Sequence, residues 1–322
     1  MKITLLDDYQ NVVKDIKSFQ LLKEHDVQII HQPDLEHHVL VEKLKDTEVL
    51  VLIRERTKIT ESLLAVLPNL RLISQTGKVS HHIDPVLCRK YGVDVAEGIG
   101  SPIAPSELCW ALIMAASRQI PNYMAHFSNG KWQQSGHPKL GRTLHGLTLG
   151  IWGYGKIGQR IAQYANAFGM RVIVWGSRRS RNQACSDGFT AADSKECFFH
   201  EADIVSLHLR LNDATRHIVK REDLAAMKSD SLFVNVSRSE LVEPDALYLE
   251  ISANPNKQAA LDVYDREPAN IDNEPLLTLP NVTCTPHLGY VENNSYELYF
   301  DSAFKNVVAF ASGQPQNLVR ID

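Results

Sequence analysis

Short apolar runs alternate with helical periodicities from one end of the chain to the other, which is the pattern of parallel α/β units. The runs fall into two sets. The first predicts strands at Lys2–Leu6, Val27–His31, Val49–Ile53, Arg71–Gln75 and Val93–Ala96, with helices between them such as Glu61–Leu67, stopped by Pro68. The second predicts six strands, at Leu147–Trp152, Arg171–Trp175, Asp203–Leu209, Ser231–Val236, Gln258–Val263 and Val282–Thr285. Six such strands suit a doubly wound nucleotide-binding sheet. A long helix over Pro105–Arg118, ended by Pro121, joins the sets, and another over Asn294–Ser312 closes the chain before Gly313 and Pro315. The simplest topology inserts the second set into the first, with residues 1–100 and 294–322 forming one domain and residues 101–293 the other. Ligands bind at the carboxyl ends of parallel strands, so an active cleft is expected between the domains.

Composition narrows the class. The 322 residues suffice for two ordinary domains, and 44% apolar with 22% charged residues is the balance of a globular chain with a sizeable core. Net charge is −4 and basic residues are scattered, so no nucleic-acid partner is expected. The opening Met1–Asp8 is too short an apolar run for a secretory signal, and the longest apolar stretch, Leu108–Ala116, falls well short of the about 20 residues of a membrane span. A cytoplasmic protein without a membrane partner is expected. Cys88, Cys109, Cys185, Cys197 and Cys284 include no Cys-x-x-Cys, which suggests reduced thiols. No metal is expected: His-Glu-x-x-His is absent, and His37-His38 and His81-His82 are adjacent, so a strand would point the members of each pair to opposite faces.

The chemistry begins after the strand ending at Trp152. Gly153-Tyr154-Gly155-Lys156-Ile157-Gly158 is a G-x-G-x-x-G that opens a helix stopped by Gly169. The first glycine permits the tight turn, the second admits a pyrophosphate, and the third lets helix and strand pack closely. Helix N–H groups and the dipole then hold the phosphates. The following strand ends at Trp175-Gly176, where an acid for the ribose 2′-OH would stand, and continues Ser177-Arg178-Arg179. Loss of the acid with gain of Ser and Arg reads as a preference for NADP(H); the alternative is a solvated basic loop of relaxed specificity that also takes NAD(H). Arg178 and Arg179 cannot both face a phosphate if the backbone stays extended, which favours Arg178 with Ser177.

Three further strand ends carry polar groups: Asn235-Val236-Ser237-Arg238-Ser239, Asp262-Val263-Tyr264-Asp265-Arg266-Glu267-Pro268 and Thr285-Pro286-His287-Leu288-Gly289. Together with the G-x-G-x-x-G, their order and spacing resemble the D-isomer-specific 2-hydroxyacid dehydrogenases of the glyoxylate/hydroxypyruvate reductase type, most densely from Gly146 to Gly289. The resemblance implies two doubly wound parallel-sheet α/β domains, a Rossmann dinucleotide-binding domain inserted into a flavodoxin-like substrate domain. By it, Arg238, Glu267 and His287 match a catalytic triad, and Asp262 matches a residue at the nicotinamide end of the cofactor. Leu209, Arg210, Val236, Ser237 and Gly289 fall in the corresponding cofactor segments. Arg210 stands where relatives commonly have proline, and Ser239 where they have glycine. The chemistry fits: reduction of a 2-keto acid needs an acid for the carbonyl oxygen, a role suited to His287. Glu267 would orient the ring and favour its charged form, and the Arg238 guanidinium would hold the substrate.

In the first domain the resemblance points to the loop Gln75–Asp84, with Gly77, Lys78 and Val79 toward the substrate carboxylate, and to Arg54 in Ile53–Thr57. Val79 replaces a second glycine, which weakens a backbone cradle, and Lys78 is either a charge for the substrate or a solvated lysine. The expected activity is hydride transfer between NAD(P)H and a small 2-keto or 2-hydroxy acid. A phosphoglycerate dehydrogenase-like enzyme is the alternative; the chain ends after its last helix, which leaves no C-terminal regulatory domain in view. Formate dehydrogenases carry Gln at the position of Glu267. A dinucleotide-sensing corepressor-type module would carry an appended docking segment. The apolar circumference of Pro105–Arg118 suggests a homodimer or burial at the domain hinge.

Overall fold

The computed structural model describes residues 1–33 and 35–321, which form two compact units, Met1–Ser101 with the segment from Val291 onward, and Pro102–Tyr290. In the first unit β1 (Lys2–Leu5), β2 (Asp26–Ile29), β3 (Val49–Leu52), β4 (Leu72–Gln75) and β5 (Asp94–Ala96) make a parallel sheet in the order β2-β1-β3-β4-β5. This is the flavodoxin-like order, whose switch point lies between β1 and β3. The segment before Asp34 and the loops Ile53–Thr57 and Thr76–Ser80 leave the sheet at its carboxyl edge. The C-terminal helix Asn293–Ala311 belongs to this unit because Tyr296, Tyr299, Phe300, Ala303, Phe304 and Val307 are buried along one side of it, and Ser74 Oγ donates to Ala303 O at 2.9 Å.

The second unit holds β6 (Thr148–Trp152), β7 (Arg171–Trp175), β8 (Thr190–Ala191), β9 (Ile204–Leu207), β10 (Leu232–Asn235), β11 (Gln258–Leu261) and β12 (Val282–Cys284), all parallel, in the order β12-β11-β10-β9-β6-β7-β8. The sheet therefore has seven strands rather than the expected six. β8 was not foreseen because a two-residue edge strand has no apolar run to announce it. Alternate residues serve opposite faces: Val172, Val174, Leu232 and Val234 pack on one, and Ile173, Val205 and Phe233 pack with Phe198 and Phe199 on the other. Each buried phenylalanine contributes roughly 1.5–3 kcal/mol.

The joining helix spans Ile103–Ser117, and Pro121 does not end it. Instead Gln119 takes a left-handed conformation (φ 54°), and a second helix, Ile120–Ser128, starts with Pro121 in its first turn, where its missing N–H is harmless. Cys109, Leu112, Ile113 and Ala116 of the first helix are buried in the core beside Ile161, Ala162 and Ala165. Its apolar circumference is thus largely used within the chain. Exposed large apolar side chains lie just after it, at Met124, Phe127, Trp132 and Leu140. No helix among the described residues is long and apolar enough to cross a membrane.

Candidate active site

Strand register brings three loops to one edge of the second sheet. Asn235 pairs with Leu261, and Leu261 with Cys284. Arg238, Asp262 and His287 follow those residues by three, one and three positions, so all leave the same edge of adjacent strands, which are about 4.8 Å apart. His287 Nδ1 lies 2.6 Å from Glu267 Oε2. The other carboxylate oxygen, Oε1, accepts from the Tyr264 N–H at 3.1 Å, so the glutamate is itself held in place. Nδ1 being engaged, Nε2 is the ring nitrogen available to exchange a proton with a substrate oxygen. His287 sits at φ 51° with its ring edge-on to Tyr290 at 5.5 Å.

Asp262 clamps the loop that carries this histidine. Its Oδ1 accepts from Thr285 Oγ1 and Leu288 N, both at 2.7 Å, and its Oδ2 from Gly289 N at 2.9 Å. Burial pushes the Asp262 carboxyl above the ordinary carboxylate range even against these hydrogen bonds and the nearby His287. The Asp262 carboxylate thus fixes the position of the His287 loop. Tyr264 supports the same loop by donating to Thr285 O at 2.8 Å. Arg238 is half-buried, its Nη1 donating to Ser237 O at 2.6 Å while its own carbonyl accepts from Asn235 Nδ2 at 2.8 Å.

At the switch point beside β6, the backbone suits a dinucleotide. Gly153 has φ +99°, and a Cβ there would stand 2.5 Å from His208 O; a Cβ on Gly158 would stand 2.2 Å from Gly153 O. Glycine is required at both by backbone contacts. A Cβ on Gly155, in contrast, would meet nothing within 4 Å. Open space thus faces the start of the helix Lys156–Ala167, whose N-cap Gly155 offers no side-chain cap to its first N–H groups. Lys156 is exposed and Ile157 half-buried against the core.

Several side chains named from the sequence have other partners. Tyr154 is buried and donates to Asp187 Oδ2 at 3.0 Å, which leaves only its backbone toward a phosphate. The Ser237 hydroxyl donates to Leu207 O at 2.7 Å. Leu209 packs beside Gly153 and Val236 against the core, while Arg210 is exposed, with its carbonyl taken by Thr215 Oγ1 at 2.6 Å. The segment after Gly176 is not extended: Arg178 and Arg179 are exposed in the first turn of a helix, Arg178–Ser186. Ser177 is its N-cap, accepting from Ser180 N at 3.2 Å and donating to Ser180 Oγ at 3.1 Å. Gly176 has φ +145°, which disfavours any side chain there. Arg181, in the same basic segment, lies half-buried with its guanidinium 4.8 Å from the Trp175 ring centre.

In the first unit, Arg54 follows β3 at the switch point with φ 53°, and its Nη1 lies 1.9 Å from where a Cβ on residue 77 would stand. Gly77 is thus what seats the guanidinium, which also lies 5.6 Å from the Tyr299 ring centre, its Nε 3.6 Å from Glu55. Lys78 Nζ donates to Glu97 Oε1, and Val79 N–H to Glu97 Oε2 at 3.2 Å. The sequence reading missed Glu97, although it is the acid directly after a predicted strand. Among the described residues no three His, Cys, Asp or Glu side chains are grouped to hold a metal ion.

The sequence model of the "D-isomer specific 2-hydroxyacid dehydrogenase, NAD binding domain" matches residues 110–289. A crystal structure of a phosphoglycerate oxidoreductase from Vibrio cholerae O395 superposes with a TM-score of 0.96 at 63% identity, over 97% of this chain and 99% of that one. A glyoxylate reductase from Aeropyrum pernix is 35% identical over 309 residues, 93% of this chain and 91% of that protein. A D-3-phosphoglycerate dehydrogenase from Methanocaldococcus jannaschii is 38% identical over 251 residues, 78% of this chain but only 47% of that protein's length.

Proposed function

Since the chain belongs to the D-isomer-specific 2-hydroxyacid dehydrogenases, enzymes that move a hydride between a nicotinamide cofactor and a 2-keto or 2-hydroxy acid, we propose that it is an NADP(H)-preferring reductase of small 2-keto acids such as glyoxylate and hydroxypyruvate, with His287 as general acid. The observation that carries the reading is the 2.6 Å His287–Glu267 pair on a loop clamped by Asp262.

A nicotinamide dinucleotide, when bound, would supply the hydride that the carbonyl carbon takes up. His287 Nε2 gives its proton to the carbonyl oxygen, completing the alcohol, and recovers a proton from solvent; oxidation of the hydroxy acid runs the same transfers backwards. Glu267 holds the ring in place through Nδ1, so that Nε2 faces the substrate. Arg238 orients the substrate oxygens by charge-assisted hydrogen bonds. Backbone N–H groups at Gly155–Gly158 would hold the pyrophosphate, with Leu209, Arg210, Val236 and Ser237 bordering the same end of the sheet. Arg54, Gly77, Lys78 and Val79 receive the substrate carboxylate in the first unit.

The absence of an acid at Gly176, and Arg178 beside a capped helix N-terminus, support NADP(H). One or two charge-assisted contacts of about 1–3 kcal/mol each favour NADPH over NADH by about 10–10³-fold in kcat/KM. Initial rates on glyoxylate, hydroxypyruvate, pyruvate and phenylpyruvate with each cofactor test the reading. Equal or better kcat/KM with NADH overturns the cofactor assignment alone; no turnover of any keto acid overturns the general-acid assignment. The 63% identity to a phosphoglycerate oxidoreductase favours a second reading, which adding phosphohydroxypyruvate to the panel checks. We further propose a homodimer, supported by the exposed Met124, Phe127, Trp132 and Leu140, in a reducing compartment, supported by five free cysteines.

A further inference from the structure

In the first unit a side-chain carboxylate already holds two of the groups assigned above to the carboxylate of the substrate. Ser74 of β4 pairs with Ala96 of β5, so the loop from Thr76 and the segment from Glu97 leave neighbouring strands side by side. Glu97 then reaches back. One of its oxygens accepts from the Lys78 ammonium and the other from the Val79 N–H at 3.2 Å, which is the pair of donors a free carboxylate would use there.

The backbone under Glu97 is pinned. Its N–H donates to Asn317 O at 3.0 Å, and its carbonyl accepts from Asn306 Nδ2 at 3.2 Å. Gly98 N–H donates to Gly77 O at 2.8 Å, and a Cβ on Gly98 would stand 2.7 Å from Thr76 O. The two segments therefore stay in register whatever the glutamate side chain does. That side chain and the Lys78 side chain are partly exposed (28% and 64%), so the carboxylate can rotate out while its Cα stays in place.

We propose that Glu97 is a substrate-selecting residue: its carboxylate occupies Lys78 and the Val79 N–H in the free protein and exchanges with the carboxylate of an incoming 2-keto acid. The inference rests on the keto-acid reading given above. A small monocarboxylate replaces one negative charge with another. The displaced Glu97 remains tethered beside the site, where it repels a second anionic group on the same substrate. Glu97 thus weakens binding of all such acids and disfavours doubly charged ones, phosphorylated keto acids included.

Glu97→Gln is the deciding variant, because its amide oxygen still accepts from the Val79 N–H and supports the loop, while the charge that competes for Lys78 is gone. The probe is oxamate, a keto-acid analogue that cannot be reduced, titrated calorimetrically into the enzyme saturated with dinucleotide. Its Kd should fall about three- to tenfold in Glu97→Gln. In steady state the KM for phosphohydroxypyruvate should fall more than that for glyoxylate, the change falling on KM rather than kcat. Lys78→Ala added to Glu97→Gln should return the oxamate affinity toward its starting value. An oxamate Kd that is unchanged or weaker in Glu97→Gln overturns the exchange. Turnover by the unmodified enzyme tests the reaction separately, so an active enzyme with unaltered oxamate binding would sink the role of Glu97 alone.

Discussion

Asp262→Asn separates the clamp on the His287 loop from the chemistry of the histidine itself. The substitution preserves size and one acceptor oxygen, which keeps the bonds from Thr285 Oγ1 and Leu288 N. It turns the group facing Gly289 N from an acceptor at 2.9 Å into a donor. One hydrogen bond to a charged group is lost, worth about 1.5–3 kcal/mol, and two N–H groups are left facing each other. Part of this is offset, since the variant no longer buries a charge. A net destabilisation of about 1–2 kcal/mol is expected. The catalytic effect should be larger than the stability effect, because a displacement of about 1 Å in a reacting group lowers turnover by up to about 10²-fold.

The pH dependence has a definite sign. The Asp262 carboxyl is pushed above its ordinary value of 3.8, chiefly by burial. A group raised in the folded state contributes stability that is complete below its unfolded pKa and is lost as pH rises through the folded one. The asparagine has no such titration. The stability gap between the parent enzyme and Asp262→Asn should therefore be widest in acid and narrow toward neutrality. Urea unfolding at about pH 4 and about pH 7.5 measures that gap, and stopped-flow turnover measures kcat. A gap that widens toward neutral pH, or a variant with unaltered kcat, would refute the reasoning.

Three other outcomes follow from the geometry. His287→Ala should lower kcat by about 10²-fold or more, and Glu267→Gln by less, because the amide still bonds Nδ1 but loses the charge; near-full kcat in His287→Ala would assign the acid elsewhere. Because Gly176 sits at φ +145°, the cofactor test is better made with Ser177→Asp combined with Arg178→Ala. Aspartate keeps the helix cap and places a carboxylate against a 2′-phosphate, so the ratio of kcat/KM for NADPH to NADH should fall at least about tenfold; an unaltered ratio would place the 2′-phosphate away from this turn. Light scattering at micromolar concentration should give twice the 36.2 kDa chain mass, and Phe127→Arg with Trp132→Arg should return the monomer; a parent enzyme already at chain mass contradicts the dimer.

Much of this protein was legible along the chain because its signals are local. Buried parallel strands such as Val49–Leu52, and residues 172–175 of β7, are continuous apolar runs, and the phosphate turn needs its glycines within six consecutive residues. The pairing of His287 with Glu267 was implied by the family resemblance, and the fold sets the two side chains 2.6 Å apart. What the chain alone did not show depended on partners distant in sequence or on weak local cues. β8 is two residues at a sheet edge, and Pro121 serves the start of a helix as readily as the end of one. That the serine after Gly176 caps a helix was not legible, because the segment reads as extended in sequence and Ser180 lies one turn on. Asp262 had the right type for a cofactor contact. Only the pairing of β11 with β12 brought its carboxylate to Leu288 and Gly289, 26 and 27 residues away. Glu97 gave no sign of its role, since its partner Val79 is 18 residues back and meets it only because β4 and β5 lie side by side. Which residues are polar, and near which strand end, is written in the order of the chain; what each polar atom bonds to is decided by strand register, because a buried donor or acceptor takes whichever partner the packed sheet sets beside it.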